Sequence, residues 1–330
     1  MSDLDPRPDE ALCTPAPGPG PVTEFFPARE VPLGGVRGVY VERVLPQRDL
    51  PTVGAWCFLD HFGAPTVTRT EAPSNIDPHP HIGLQTVTWP FVGRIRHRDS
   101  VGSDVEIEPG QLNLMTSGRG IAHSEYHATD APASEGLQLW IALPAHSTGV
   151  APHFEQHRDL PVHEAPGVRA IVLIGTLAGR TSPAKAYTPI VGADIRIEPG
   201  AEVTLPVDPS FEHAVLVVEG EVTVAEAPVK PGPLLYLGSG RTELRLSSAT
   251  GAHLALIGGE PFEEELVMWW NFVGRGHEDI VAARAAWENR DTARFPDIAG
   301  HPPEQRIPAP PMPPLNLKPR KRRIGDAARD

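Results

Sequence analysis

Two short stretches of this chain carry the residue types and spacing of a metal site. The first is His79-Pro80-His81; the second is His123-Ser124-Glu125-Tyr126-His127. Imidazole nitrogen and carboxylate oxygen together suit iron, manganese, nickel, copper or zinc ions. Three histidines and one glutamate leave one or two positions open on a six-coordinate ion. Open positions on a redox-active ion admit dioxygen or a chelating substrate, whereas a closed site would be structural. The spacing belongs to strands: alternate residues share a face and lie about 7 Å apart along the chain. His79 and His81 from one strand, with His123 and Glu125 from another, can therefore converge on one ion. These four are the candidate ligands. His127 is in phase with them and is expected beside or outside the ligand set. His61 and His97 are expected at the surface or the rim.

The elements that must position these residues read as strands and tight turns. Between the two stretches lie the turn Pro109-Gly110 and the glycine-rich Thr116-Ser117-Gly118-Arg119-Gly120. Gln85 to Phe91 alternates with period two, which puts Val87, Trp89 and Phe91 on one face. Unless Gly83 breaks the phase, Gln85, His81 and His79 share that face. Pro90 implies an edge strand or a bulge. Trp56-Cys57-Phe58-Leu59 reads as a buried strand, followed by a turn over Asp60-His61-Phe62-Gly63. Glu278 to Asn289 reads as a helix with acids near its start, where the helix dipole favours them. Trp269 and Trp270, just before it, are expected to pack in a core.

Composition agrees with an all-β bulk. The 330 residues are 40% hydrophobic, enough for a real core, and carry 39 prolines and 31 glycines between short apolar runs. A formal charge of −13 argues against general nucleic-acid binding, which needs a positive field. Two cysteines, Cys13 and Cys57, do not make a disulfide framework. The acidic start lacks the apolar core of a signal peptide, and no run approaches the roughly 18 apolar residues of a membrane helix. The expectation is a soluble, cytoplasmic protein with no membrane partner. Its expected organisation is a flexible arm over 1–24, a metal-binding barrel over 25–150, and a metal-free barrel with the helix over 151–292. A proline-rich tail over 293–330 ends in the basic Lys318-Pro319-Arg320-Lys321-Arg322-Arg323, read as a solvated terminus.

The two barrels follow from an internal repeat. Pro109 to Gly118 aligns with Pro231 to Gly240, and Phe91-Val92-Gly93 with Val218-Glu219-Gly220. At the same offsets His79 and His81 fall on Pro206 and Asp208, and His123 and Glu125 fall on Arg245 and Ser247. The copy keeps the turns and loses every candidate ligand. A purely structural role for those residues would predict more retention.

His79-Pro80-His81-Ile82-Gly83-Leu84-Gln85-Thr86-Val87-Thr88, Pro109-Gly110 and Met115-Thr116-Ser117-Gly118-Arg119-Gly120-Ile121-Ala122-His123-Ser124-Glu125 resemble the pirin family of the cupin superfamily. The resemblance spans roughly residues 25 to 290. It implies two tandem cupin jelly-roll barrels, with metal in the N-terminal one only. The metal is usually iron, Fe(II), held by His79, His81, His123 and Glu125. Some members resemble quercetin 2,3-dioxygenases, which implies a flavonol-like substrate chelated through its 3-hydroxyl and 4-carbonyl, with Glu125 as ligand and catalytic base. Others resemble redox-sensing co-regulators, which implies a partner protein that reads the iron state without turnover. The chain departs from the family after His81. Ile82-Gly83-Leu84-Gln85 stands where pirins usually carry arginine-glycine-aromatic-glutamate, so an amide that cannot act as a base replaces an acid expected beside the metal.

Overall fold

Short strands separated by glycine and proline turns pair into two barrels of one design. The computed structural model describes residues 11–13, 20–33, 39–65, 67 and 75–318. In the first barrel a seven-stranded antiparallel sheet runs in the order His153–His157, Leu112–Thr116, Leu84–Val92, Glu135–Ala142, Trp56–Phe62, Val39–Leu45, Arg29–Leu33. It faces a four-stranded sheet ordered Ile76–His81, Ile121–His127, Ile95–Asp99, Asp104–Ile107. The second barrel repeats this pattern. Leu234–Gly238, Glu212–Gly220, Ala252–Gly259 and Ile190–Ile197 lie side by side in the larger sheet, opposite Ala201–Pro206, Glu243–Ser248, Val222–Val224 and Ala227–Val229. The fold is all-β with one C-terminal helix, His277–Glu288. Among the described residues no helix is long and apolar enough to cross a membrane.

The strands nearest the expected domain boundaries cross over. Glu24–Phe26 pairs with Leu234–Tyr236 of the second barrel, and His153–His157 pairs with Leu112–Thr116 of the first. Within the arm expected over 1–24, Ala11–Cys13 pairs with Leu266–Met268. The stretch 1–10 and the basic cluster from 319 onward lie outside the described residues. Other expectations shift by local physics. Asp60, His61 and Phe62 continue the strand Trp56–Phe62, and only Gly63 turns. Pro90 sits in an inner strand at a bulge: the register slips opposite Glu135 and Gly136, and a side chain on Gly136 would meet Trp89 O at 2.5 Å.

The barrels share one apolar core and differ in what fills them. Val87, Trp89, Leu112, Leu114, Leu137, Leu139 and Ile141 from the first pack with Ile174, Ile190, Ala214, Leu216 and Ile257 from the second. Polar links cross the same interface. Trp56 Nε1 donates to Val191 O and Gly258 O, and Trp89 Nε1 donates to Asp194 Oδ2 at 2.7 Å. The second barrel's interior is aliphatic, with Val172, Ile195, Val215, Val217, Leu235, Leu254 and Leu256 all buried. Its Pro206, Asp208 and Arg245, at the repeat positions of the candidate ligands, are exposed. The first barrel instead buries His79, His81, His97, Asp99, Thr86, Thr88, Asn113, His123, Glu125 and Gln138. Burying so many polar groups costs stability unless they are partnered, which points to a purpose other than folding.

The C-terminal segment covers the outer face of the ligand-bearing strands. Phe295, Ile298, Ala309 and Leu317 are buried with Trp269, Trp270, Trp287 and Ala122. Ile307 N donates to Pro78 O, Ser124 Oγ lies 2.9 Å from His301 Nε2, and Gln305 Nε2 donates to Asp77 Oδ1 and Tyr126 Oη. The proline-rich segment therefore packs against the first barrel at Phe295, Ile298, Ala309 and Leu317, ahead of the basic cluster expected to be solvated.

Candidate metal centre

The strand Ile121–His127 lies between Ile76–His81 and Ile95–Asp99, and this order assembles the site. His123 is opposite His79 on one side and Asp99 on the other; Glu125 is opposite His97. The donor atoms of His79, His81 and His123 all lie within 4.8 Å of one another, as do those of His97, His123 and Glu125. All five residues are at most 2% exposed. Of the four candidate ligands the structure groups His79, His81 and His123, and it groups Glu125 with His123 and with His97, which sequence reasoning placed at the surface or rim. His97 is buried, with its ring stacked on Phe154 at 4.4 Å. His61 is buried too, 3.1 Å from Glu135 Oε1 and away from the cluster. His127 is half-buried and outside both groups.

The imidazoles are held neutral and aimed. His79 Nδ1 lies 2.8 Å from Asp77 O, and His81 Nδ1 lies 2.9 Å from Asn271 O. A carbonyl only accepts, so both Nδ1 atoms carry the proton and both Nε2 atoms keep a lone pair. Burial pushes the His79 pKa from the usual 6.5 down to about 4. Burial first, and then neighbouring histidines, pushes His81 and His123 well below the usual range. Neutral imidazole is the form that binds metal.

The spacing also fits an ion. His81 Nε2 and His123 Nε2 are 3.1 Å apart in a buried site. Two nitrogens each about 2.1 Å from one ion and at right angles to each other would lie about 3 Å apart. Beside His123, Glu125 supplies a buried carboxylate, and Thr88 Oγ1 is 3.2 Å from its Oε1. The same hydroxyl is 3.1 Å from Gln138 Oε1. Three neutral imidazoles, with the Glu125 carboxylate grouped with one of them, His123, form a buried donor set that suits a divalent transition metal.

Gln85 is not part of this cluster. Gly83 has a positive φ of 69°, and a side chain there would collide with the carbonyl oxygen of Val273. The turn flips the phase between the strands on either side of it. Thr88 consequently faces Glu125, while Val87 and Trp89 enter the shared core. The shared face expected for His79, His81, Gln85 and Val87 does not form. Gln85 Nε2 donates instead to Thr116 Oγ1 at 2.9 Å and to Lys185 O at 3.0 Å, across the interface. The repeat offset that pairs His79 with Pro206 pairs Gln85 with Glu212, which accepts from Gly54 N across the same interface. The amide thus serves barrel packing, and its lack of basicity does not bear on the metal cluster.

Residues 38–141 match the family model described as pirin, and residues 192–295 match that of the pirin C-terminal cupin domain. A Pseudomonas aeruginosa protein provisionally named a quercetin 2,3-dioxygenase is 44% identical over 288 residues, covering 87% of this chain and 89% of its own. A pirin-like protein of Caulobacter vibrioides is 34% identical, covering 83% of this chain and 95% of its own. A crystal structure described as quercetin 2,3-dioxygenase from Acinetobacter baumannii superposes with a TM-score of 0.82 at 38% identity, covering 90% of this chain and 98% of that one.

Proposed function

The chain belongs to the pirin family of bicupins, and on that premise we propose that it is an iron-dependent dioxygenase of the quercetin 2,3-dioxygenase type, acting on a flavonol-like substrate. The observation that carries this reading is the buried group of His79, His81 and His123, joined through His123 to Glu125, inside a barrel whose repeat partner is filled with aliphatic side chains. The first three histidines and Glu125 would hold the ion. Bound there, a divalent metal would lower the pKa of a coordinated hydroxyl and leave positions for a chelating substrate.

The chain's own residues supply the rest. Glu125 is the carboxylate placed to take the proton of a substrate hydroxyl, and the Thr88 hydroxyl beside Oε1 orients it. Trp140 meets the His81 ring edge-on at 5.3 Å and stacks on Phe58 at 4.1 Å, and the Arg43 guanidinium lies 4.5 Å over the Phe58 ring. These packed rings form a buried apolar wall on the His81 side of the ligand cluster. Names carried by relatives sharing 44% and 38% identity support the substrate class. The test is oxygen consumption by iron-loaded protein with quercetin and related flavonols. Uptake that is lost in Glu125→Gln supports the reading, and no uptake by fully loaded wild type sinks it.

A further inference from the structure

His79 and His81 each anchor Nδ1 on a backbone carbonyl, whereas among the described residues the partner of His123 Nδ1 is a side chain. Its Nδ1 lies 3.4 Å from His97 Nδ1. His97 Nε2 in turn lies 3.1 Å from Asp99 Oδ2, and a carboxylate accepts, so that nitrogen carries the ring proton. In neutral His97 the remaining nitrogen, Nδ1, then has a lone pair, and His123 Nδ1 donates to it. His123 Nε2 is left with its lone pair turned toward His81 Nε2, 3.1 Å away. Asp99 is itself fixed, because its Oδ1 accepts the backbone N–H groups of Val101 and Ser103 at 3.0 and 2.9 Å. Phe154 stacks on the other face of the chain of contacts, at 20° to the His97 ring. Among the described residues these are the side-chain hydrogen bonds of His97 and His123.

We infer that Asp99 and His97 are positioning residues: they form a side-chain relay that sets the tautomer and orientation of His123, doing for the third histidine what Asp77 O and Asn271 O do for the other two. The inference deepens the reading of His79, His81 and His123 as metal ligands and rests on it. The alternative has His97 itself join His123 and Glu125 around the ion, since their donor atoms also lie within 4.8 Å of one another, and the number of bound imidazoles distinguishes the two.

The experiment loads wild type, Asp99→Asn, His97→Phe and His97→Asn with cobalt(II). It measures affinity by chelator competition, coordination from the visible spectrum and imidazole count from the nitrogen hyperfine pattern of the copper(II) forms. Partners that orient metal-bound histidines are worth about 10–100-fold in metal affinity. Asp99→Asn and His97→Phe should lose affinity in that range, with the stoichiometry and the number of bound imidazoles unchanged. His97→Asn, whose amide oxygen can accept from His123 Nδ1, should recover a large part of the loss. Wild-type affinity in His97→Phe overturns the relay, as does an asparagine variant no better than phenylalanine. A bound-imidazole count lower by one in His97→Phe makes His97 a ligand and overturns it as well. Wild type that takes up no metal overturns both the relay and the metal centre, whereas metal-binding wild type with indifferent variants overturns the relay alone.

Discussion

Acidifying the metal-free protein should destabilise it through the same imidazoles that make the site. At pH 7 and above, His79 is neutral in both the folded and the unfolded chain. Its pKa is about 4 when folded, pushed down by burial from the usual 6.5. Between these values the unfolded chain binds a proton that the folded chain refuses. Stability is therefore lost as the pH falls through 6.5, and the loss is complete near 4. A shift of this size corresponds to roughly 3 kcal/mol for His79 alone, and His81 and His123 add to it in the same direction. Urea unfolding of chelator-stripped protein between pH 7.5 and 4.5 measures the effect, and His79→Gln isolates it. The stability difference between wild type and variant should shift by about 2–3 kcal/mol over that range, against the wild type at low pH. A difference that does not vary with pH would refute the burial argument, because a solvated His79 would titrate alike in both states.

Three further outcomes follow from particular contacts. Gly83→Ala forces a left-handed backbone on a side chain that collides with Val273, so it should cost at least about 1–2 kcal/mol by thermal or denaturant unfolding and lower metal uptake through His81. Gln85→Glu should destabilise by about 1–3 kcal/mol, since a carboxylate would face the Lys185 carbonyl, yet leave metal content unchanged by elemental analysis. Thr88→Val removes one hydrogen bond to Glu125, so metal content should hold while the oxygen-uptake rate with quercetin falls roughly tenfold.

Much of the site was legible because strands impose a period of two. His79 with His81, and His123 with Glu125, could be paired from spacing alone, and the repeat marked the second barrel as lacking them. What the sequence hid was cross-strand neighbourhood. His97-x-Asp99 has the same spacing as the ligand pairs, but only the pairing of Ile95–Asp99 with Ile121–His127 places it against His123 and Glu125. The phase flip at Gly83 depends on a positive φ that the residue type permits without requiring it. It misdirected Gln85 to the metal, when the side chain bonds across the barrel interface. The C-terminal prolines read as a tail because local composition says nothing of Trp269, Trp270 and Trp287, which give Phe295 and Ile298 a surface to bury against.

The central claim is that His79, His81, His123 and Glu125 hold one metal ion. Elemental analysis of protein as isolated, with His79→Ala and Glu125→Ala prepared in parallel, tests it most directly. The account predicts about one transition-metal ion per chain in wild type, and a large loss in both variants, since each removes a buried ligand. Equal metal content in all three proteins would contradict it.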